Sequence, residues 1–200
     1  MPTGCYYVRI ISGEYRGRVL PARLPEGVRP TLDAARESLF NVLQHQCDWD
    51  GLHICDLFAG SGALGIEALS RGASTACFVE KNRKVVQCIQ QNLDALRVSS
   101  DQVNIEQCDA LEFVQNTRLR FDVLFIDPPY ALHALNTILQ VVLDRRLMSP
   151  HGIIVAEHGP AEHLLRDARF ECLSTKIFGE TTIQILRVMD EEQSKGLELV

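Results

Sequence analysis

From residue 53 onward the chain alternates between two hydrophobic rhythms. Short strand-like runs rich in apolar residues fall at 53–58, 75–80, 121–127 and 152–158, with a more polar one at 103–108. Between them apolar residues recur every three or four positions, most clearly at Val85, Ile89, Leu93 and Leu96 and at Leu135, Ile138, Leu139 and Val142. Continuous apolar runs predict strands covered on both faces, and the longer spacing predicts helices with one buried stripe. Strands and helices in alternation predict a largely parallel sheet. After residue 168 the rhythm changes. Residues 170–177 and 183–188 are β-prone and joined across Phe178-Gly179-Glu180, which leaves no room for a crossover helix. They predict an antiparallel pair at the end of the sheet. The expected fold is therefore α/β, with seven strands, mostly parallel, and a terminal antiparallel pair.

The first 45 residues read differently. Residues 8–20 hold β-prone pieces broken by Gly13 and Gly17, a small hairpin pattern, and 24–30 is a turn-rich connector. Leu32, Ala35, Leu39 and Val42 then mark a helix that Thr31 or Asp33 can cap. The expected organisation is an extension over 1–45, a body over 46–188 and a charged, frayed tail over 189–200.

Composition narrows the function classes. Hydrophobic residues make up 46% and charged ones 23% of the 200, as in an ordinary soluble domain. The net charge of −6 opposes indiscriminate coating of nucleic acid. The charge is uneven, however. Residues 1–40 hold 6 Arg against 4 acidic side chains, and the rest hold 14 basic against 22 acidic. No apolar run has the length of a membrane span or secretory signal. The seven cysteines form no CxxC pair and the six histidines no HExxH, so reduced core thiols in a cytoplasmic protein are expected, and no metal.

Chemistry-bearing residues cluster at the predicted strand ends. The first strand ends in Asp56-Leu57-Phe58-Ala59-Gly60-Ser61-Gly62, with a helix opening at Ala63. Such a turn lets backbone amides approach a ligand. It lacks the GK[ST] of a phosphate-binding P-loop, but Gly60, Gly62 and Gly65 keep dinucleotide spacing, so NAD has to be weighed. Glu80 ends the second strand, 24 residues after Asp56, where an acid can accept ribose hydroxyls. Asp109-Ala110 follows the third, where an aspartate serves an adenine amino group or simply caps a helix. Asp56 tips the balance. A pyrophosphate beside it would be costly, whereas a cofactor with an amine and a sulfonium would welcome it, which favours S-adenosylmethionine. The fourth strand delivers Asp127-Pro128-Pro129-Tyr130, a stiff segment whose prolines hold neighbouring carbonyls in place.

DLFAGSG, Glu80, Asp109-Ala110 and DPPY together resemble class I S-adenosylmethionine-dependent methyltransferases with a Rossmann-like fold that act on amino or amide nitrogens. Arg9-Ile10-Ile11-Ser12-Gly13, Arg16-Gly17-Arg18, Arg29-Pro30-Thr31, Arg36-Glu37-Ser38-Leu39-Phe40-Asn41 and residues 65–72 are similar to the bacterial 16S ribosomal RNA guanine-N2 methyltransferases, the RsmD family, over roughly 8–188. Ala34-Ala35 and Phe178-Gly179 depart from the pattern expected of relatives, away from the chemistry. The resemblance implies that Thr31, Asp56, Phe58, Ala59, Gly60, Gly62, Glu80, Asp109 and Ala110 hold the cofactor. Asp127, Pro128, Pro129 and Tyr130 carry catalysis, with Asp127 and the Pro128 carbonyl orienting the amine and Tyr130 stacking on the base. Arg9, Arg16, Arg18, Arg23, Arg29 and Arg36 are the candidate RNA contacts. The implied partner is 16S RNA presented in an assembled or partly assembled small subunit to a monomeric enzyme. Adenine N6 and protein glutamine remain alternative acceptors, because DPPY serves each.

Overall fold

A computed structural model describes residues 8–21, 33–129, 132–160, 162 and 164–189. Seven strands form one sheet in the order β3-β2-β1-β4-β5-β7-β6, and the chain divides into two compact units between Cys108 and Asp109. No helix among the described residues is long and apolar enough to cross a membrane.

In the first unit, β1 (His53–Leu57), β2 (Thr75–Val79) and β3 (Val103–Glu106) are parallel, with Asp56 opposite Phe78 and Val79 opposite Glu106. The runs of β1 and β2 are buried as the pattern predicts, Cys55, Leu57 and Phe78 having no exposure; β3 departs from it, with Val103, Ile105 and Glu106 half-buried and Asn104 exposed. Helices α1 (Asp33–Leu43), α2 (Ala63–Ser70) and α3 (Arg83–Leu96) belong to this unit. The stripe Val85, Ile89, Leu93 and Leu96 is the buried side of α3, and the Asn82 carboxamide caps it by accepting the Lys84 amide at 3.0 Å.

Helix α2 is buried at all eight positions, although it includes Glu67 and Ser70. One side packs on β1 and β2, and the other is covered by the N-terminal hairpin. That hairpin closes through an antiparallel bridge between Arg9 and Val19 and a bond from the Leu20 amide to the Val8 carbonyl. Glu67, with no exposure, accepts the Ile11 amide at 2.8 Å, the Ser12 amide at 3.0 Å and Arg71 Nε at 2.9 Å. Gly13 presses so close that a Cβ there would sit 1.6 Å from the Ser70 carbonyl oxygen. The Ser70 hydroxyl donates to the Ser12 carbonyl and accepts the Tyr15 amide at 2.9 Å. The hairpin is thus a built part of this unit. Of the tail expected over 189–200, Met189 donates its amide to the Arg169 carbonyl at 2.8 Å, and residues 190–200 lie outside the described residues.

The second unit holds α4 (Ala110–Asn116), β4 (Phe121–Ile126), α5 (Leu135–Asp144), β5 (Met148–His158), β6 (Phe170–Phe178) and β7 (Thr181–Val188). Strands β4 and β5 are parallel, while β5–β7 and β7–β6 are antiparallel, as expected for the terminal pair. The β6–β7 turn pairs Phe178 with Thr181, so Gly179 and Glu180 form the tip, Gly179 at φ 62°. Strand β5 begins four residues earlier than its apolar run. Phe121 pairs with Met148 but Val123 with Ile153, so the Pro150-His151-Gly152 stretch is a bulge inside the strand.

Candidate active site

The glycine loop after β1 is held in an unusual conformation by its neighbours. Gly60 and Gly62 have φ of 55° and 76°, and Phe58, which has a side chain, also stands at 62°. The left-handed region favours glycine, and a non-glycine residue held there marks a segment fixed by its surroundings. The Ala59 amide donates to the Val79 carbonyl at 3.1 Å, the Gly62 amide to Ala59 at 2.7 Å, and buried Asn92 donates to the Ser61 carbonyl at 2.9 Å. The glycines differ in purpose. At Gly65 a Cβ would lie 2.4 Å from the Phe78 ring, so this glycine serves helix–sheet packing. At Gly60 a Cβ would meet, among the described residues, only the Phe58 carbonyl at 3.8 Å, so no described side chain crowds the backbone there.

Asp56 lies beneath this loop at 2% exposure, and its carboxylate accepts the Gly65 amide at 3.0 Å. The sequence led us to expect Asp56 to meet the ligand. In the fold it neutralises the first turn of α2, the end that would otherwise draw an anion. An internal carboxylate there disfavours a bound pyrophosphate and so argues against a dinucleotide. Glu80 stands half-buried beside the loop, accepting the Asn82 amide at 2.8 Å and the Gly60 amide at 3.4 Å. A carboxylate has about four acceptor positions, so two bonds leave capacity for hydroxyl donors. The first unit therefore brings Asp56, Phe58, Ala59, Gly60, Gly62 and Glu80 together.

In the second unit Asp109 caps α4, accepting the Leu111 amide at 2.9 Å, and Ala110 behind it is buried. Strand β4 is fully enclosed from Val123 to Ile126 and ends in Asp127, Pro128 and Pro129. Pro128 is buried and Pro129 exposed, its carbonyl accepting the Leu132 amide at 2.8 Å. Burial pushes the Asp127 carboxyl up to about 8, and the neighbouring Glu157 adds to the rise. Glu157 was missing from the sequence expectation. Its signal was available, since residues 152–158 read as a strand, and an acid at a parallel strand end deserved the weight given to Asp56 and Glu80. His158, one residue on, registers with Thr182 instead of Ile183 and so faces the other side of the sheet. There its ring lies 3.1 Å from the Gln184 side-chain oxygen, beside a cavity of about 610 Å³.

The arginines separate into distinct groups. Arg9 and Arg16 are exposed. Arg18, though exposed, directs its guanidinium to the Ala95 and Leu96 carbonyls at the end of α3, where a cation offsets the helix dipole. Arg36 corrects the expectation outright. It has no exposure, donates to the Arg9 carbonyl, and binds the hairpin to α1 instead of offering charge to phosphate. Thr31, Arg23, Arg29 and Tyr130 lie outside the described residues.

A family described as Conserved hypothetical protein 95 matches residues 8–187. The chain is 35% identical to ribosomal RNA small subunit methyltransferase D of Haemophilus influenzae, over 86% of this chain and 89% of that protein. Among solved structures it resembles the Escherichia coli protein yhhF, at TM-score 0.82 and 29% identity, covering 93% of this chain and all of that one. An RNA methyltransferase of Salinibacter ruber, solved with S-adenosyl-L-homocysteine, shares the fold at TM-score 0.60 and 16% identity, over 82% of this chain and 95% of its own.

Proposed function

The chain belongs to the Conserved hypothetical protein 95 family, that of ribosomal RNA small subunit methyltransferase D, and from this premise we propose that this ribosomal RNA methyltransferase methylates N2 of a guanine in 16S RNA. S-adenosylmethionine is the donor, and when bound it supplies a methyl group already activated by a sulfonium. The residues present suit it: a left-handed glycine loop uncrowded among the described residues, Glu80 with acceptor capacity to spare, and an internal carboxylate that disfavours phosphate. The solved Salinibacter relative with S-adenosyl-L-homocysteine supports the same reading.

The observation that carries the amine-methylation reading is the Asp127-Pro128 pair at the end of a fully buried strand, and the likeness to ribosomal RNA small subunit methyltransferase D supports 16S RNA as the acceptor. Guanine N2 is a weak nucleophile because its lone pair is delocalised into the ring. The protein's task is then to hold the amine in line with the methyl and support the charge that develops on nitrogen. Asp127 and the Pro128 carbonyl accept the amine's hydrogens, and Tyr130 stacks on an unpaired or flipped base. Thr31 and the Asp109-Ala110 pair complete the cofactor contacts, the latter at adenine. Arg9, Arg16, Arg23 and Arg29 contact phosphate. With so few phosphate contacts, a monomer working in the cytoplasm on a preformed small-subunit particle is the economical arrangement. The test is transfer of labelled methyl to small subunits, to free 16S RNA and to DNA. Label in 16S RNA, strongest in the particle, supports the proposal, and label in DNA or protein refutes it.

A further inference from the structure

We infer that Glu157 is a positioning residue for the transfer reaction, holding Asp127 in a state able to take the proton that leaves the methylated nitrogen. This rests on the proposed amine-methylation reading. The geometry comes from strand register. Ile126 of β4 pairs with Ala156 of β5 in parallel, so Asp127, just past the end of β4, comes beside Glu157, which is still within β5. Paired positions of adjacent strands lie about 5 Å apart and project to the same face. Both carboxyls are partly enclosed, and the Pro128 ring next to Asp127 is buried, so water screens the pair poorly. Two acids in such a setting do not both ionise freely, and the proton is held more tightly by one of them. On the far side of β5, Glu157 stands opposite Ile183 of β7. The raised Asp127 carboxyl, near 8, follows from burial first and Glu157 second.

The chemistry needs such a group. The nitrogen lone pair forms the new N–CH₃ bond while the carbon–sulfur bond breaks, its electron pair remaining on sulfur. The nitrogen then carries one proton too many and a positive charge. A carboxylate accepts that proton, and one of raised affinity holds it more firmly. Asp127 with its affinity raised accepts it and later passes it to water. The cost is that Asp127 must be ionised beforehand, so activity is lost about tenfold per pH unit below its midpoint.

The test is carbon-13 NMR of aspartate-labelled protein, with the Asp127 carboxyl signal assigned by its loss in D127N. In the unmodified protein it titrates near 8. In E157Q the midpoint falls by about one pH unit, staying above the ordinary carboxylate range because burial remains. In E157D, which keeps a charge on a shorter arm, it falls by less. Transfer rates follow: the acid limb of kcat/KM shifts down with the midpoint in E157Q while its plateau drops, because the base is weaker. An unmoved midpoint in either folded variant overturns the inference. The identity of the methylated product is a separate readout. An unexpected nucleoside with a shifted midpoint refutes the guanine assignment and leaves Glu157's role standing, and the reverse result does the opposite.

Discussion

Glu67 should be the most sensitive structural position in the first unit, and the size of its effect follows from its partners. Its buried carboxylate accepts two hairpin amides and pairs with Arg71, whose side chain is only 8% exposed. Glu67→Gln keeps the shape, but the carboxamide offers one acceptor oxygen where there were two. Its NH₂ must then face a backbone N–H or the Arg71 guanidinium. A hydrogen bond to a charged group is worth about 1.5–3 kcal/mol, and breaking one member of a buried pair costs roughly 3–5 kcal/mol. We therefore expect about 3–5 kcal/mol of destabilisation in E67Q by urea denaturation. The loss should be local first: hydrogen exchange at the Ile11 and Ser12 amides should accelerate before that of the β1 core. Gly13→Ala strikes the same joint, since its Cβ would collide with the Ser70 carbonyl and φ is 82°. The double variant should thus lose clearly less than the sum of the two. A loss in E67Q below about 1 kcal/mol, with both amides still protected, would refute the account of the joint.

Other positions give equally direct outcomes. Gly65→Ala forces a methyl against the Phe78 ring and should cost about 1–3 kcal/mol of stability, read from the denaturation midpoint. Arg18→Ala should lower stability by roughly 0.5–1 kcal/mol through the lost α3 carbonyl contacts, while Arg16→Ala should leave stability alone and weaken RNA use and its salt dependence; filter binding at two salt concentrations separates them. Asp127 holds a proton in the native state between about 4 and 8 that the unfolded chain has released, so it subtracts stability as pH rises through that window. Asp127→Asn should accordingly gain stability relative to the unmodified protein on going from pH 5 to 9, by urea midpoints, while transfer activity collapses.

The rhythm of apolar residues made the sheet legible because a strand buried on both faces can hardly be written otherwise. The β5 bulge was hidden, since Pro150 and Gly152 are turn residues wherever they fall and only pairing with β4 shows a strand passing through them. The site was legible at Gly60, Gly62, Glu80 and Asp127, whose residue types are few and whose places at strand ends follow from the pattern. Direction was not legible. Asp56 and Arg36 are charged residues in motif-like runs, and nothing in the run says that one bonds to the Gly65 amide and the other to the Arg9 carbonyl. The two stretches around Ile11-Ser12-Gly13 and Glu67-Ser70-Arg71, read separately as parts of a family pattern, are the two halves of one joint.

The central claim is that Asp127 and the Pro128 carbonyl present a guanine amine for methylation. Nucleoside analysis of small subunits, after incubation with the protein and labelled S-adenosylmethionine, tests this most directly. The account predicts labelled N2-methylguanosine at one position of 16S RNA, and its disappearance with folded Asp127→Asn. Labelled N6-methyladenosine, or undiminished N2-methylguanosine from Asp127→Asn, would contradict it.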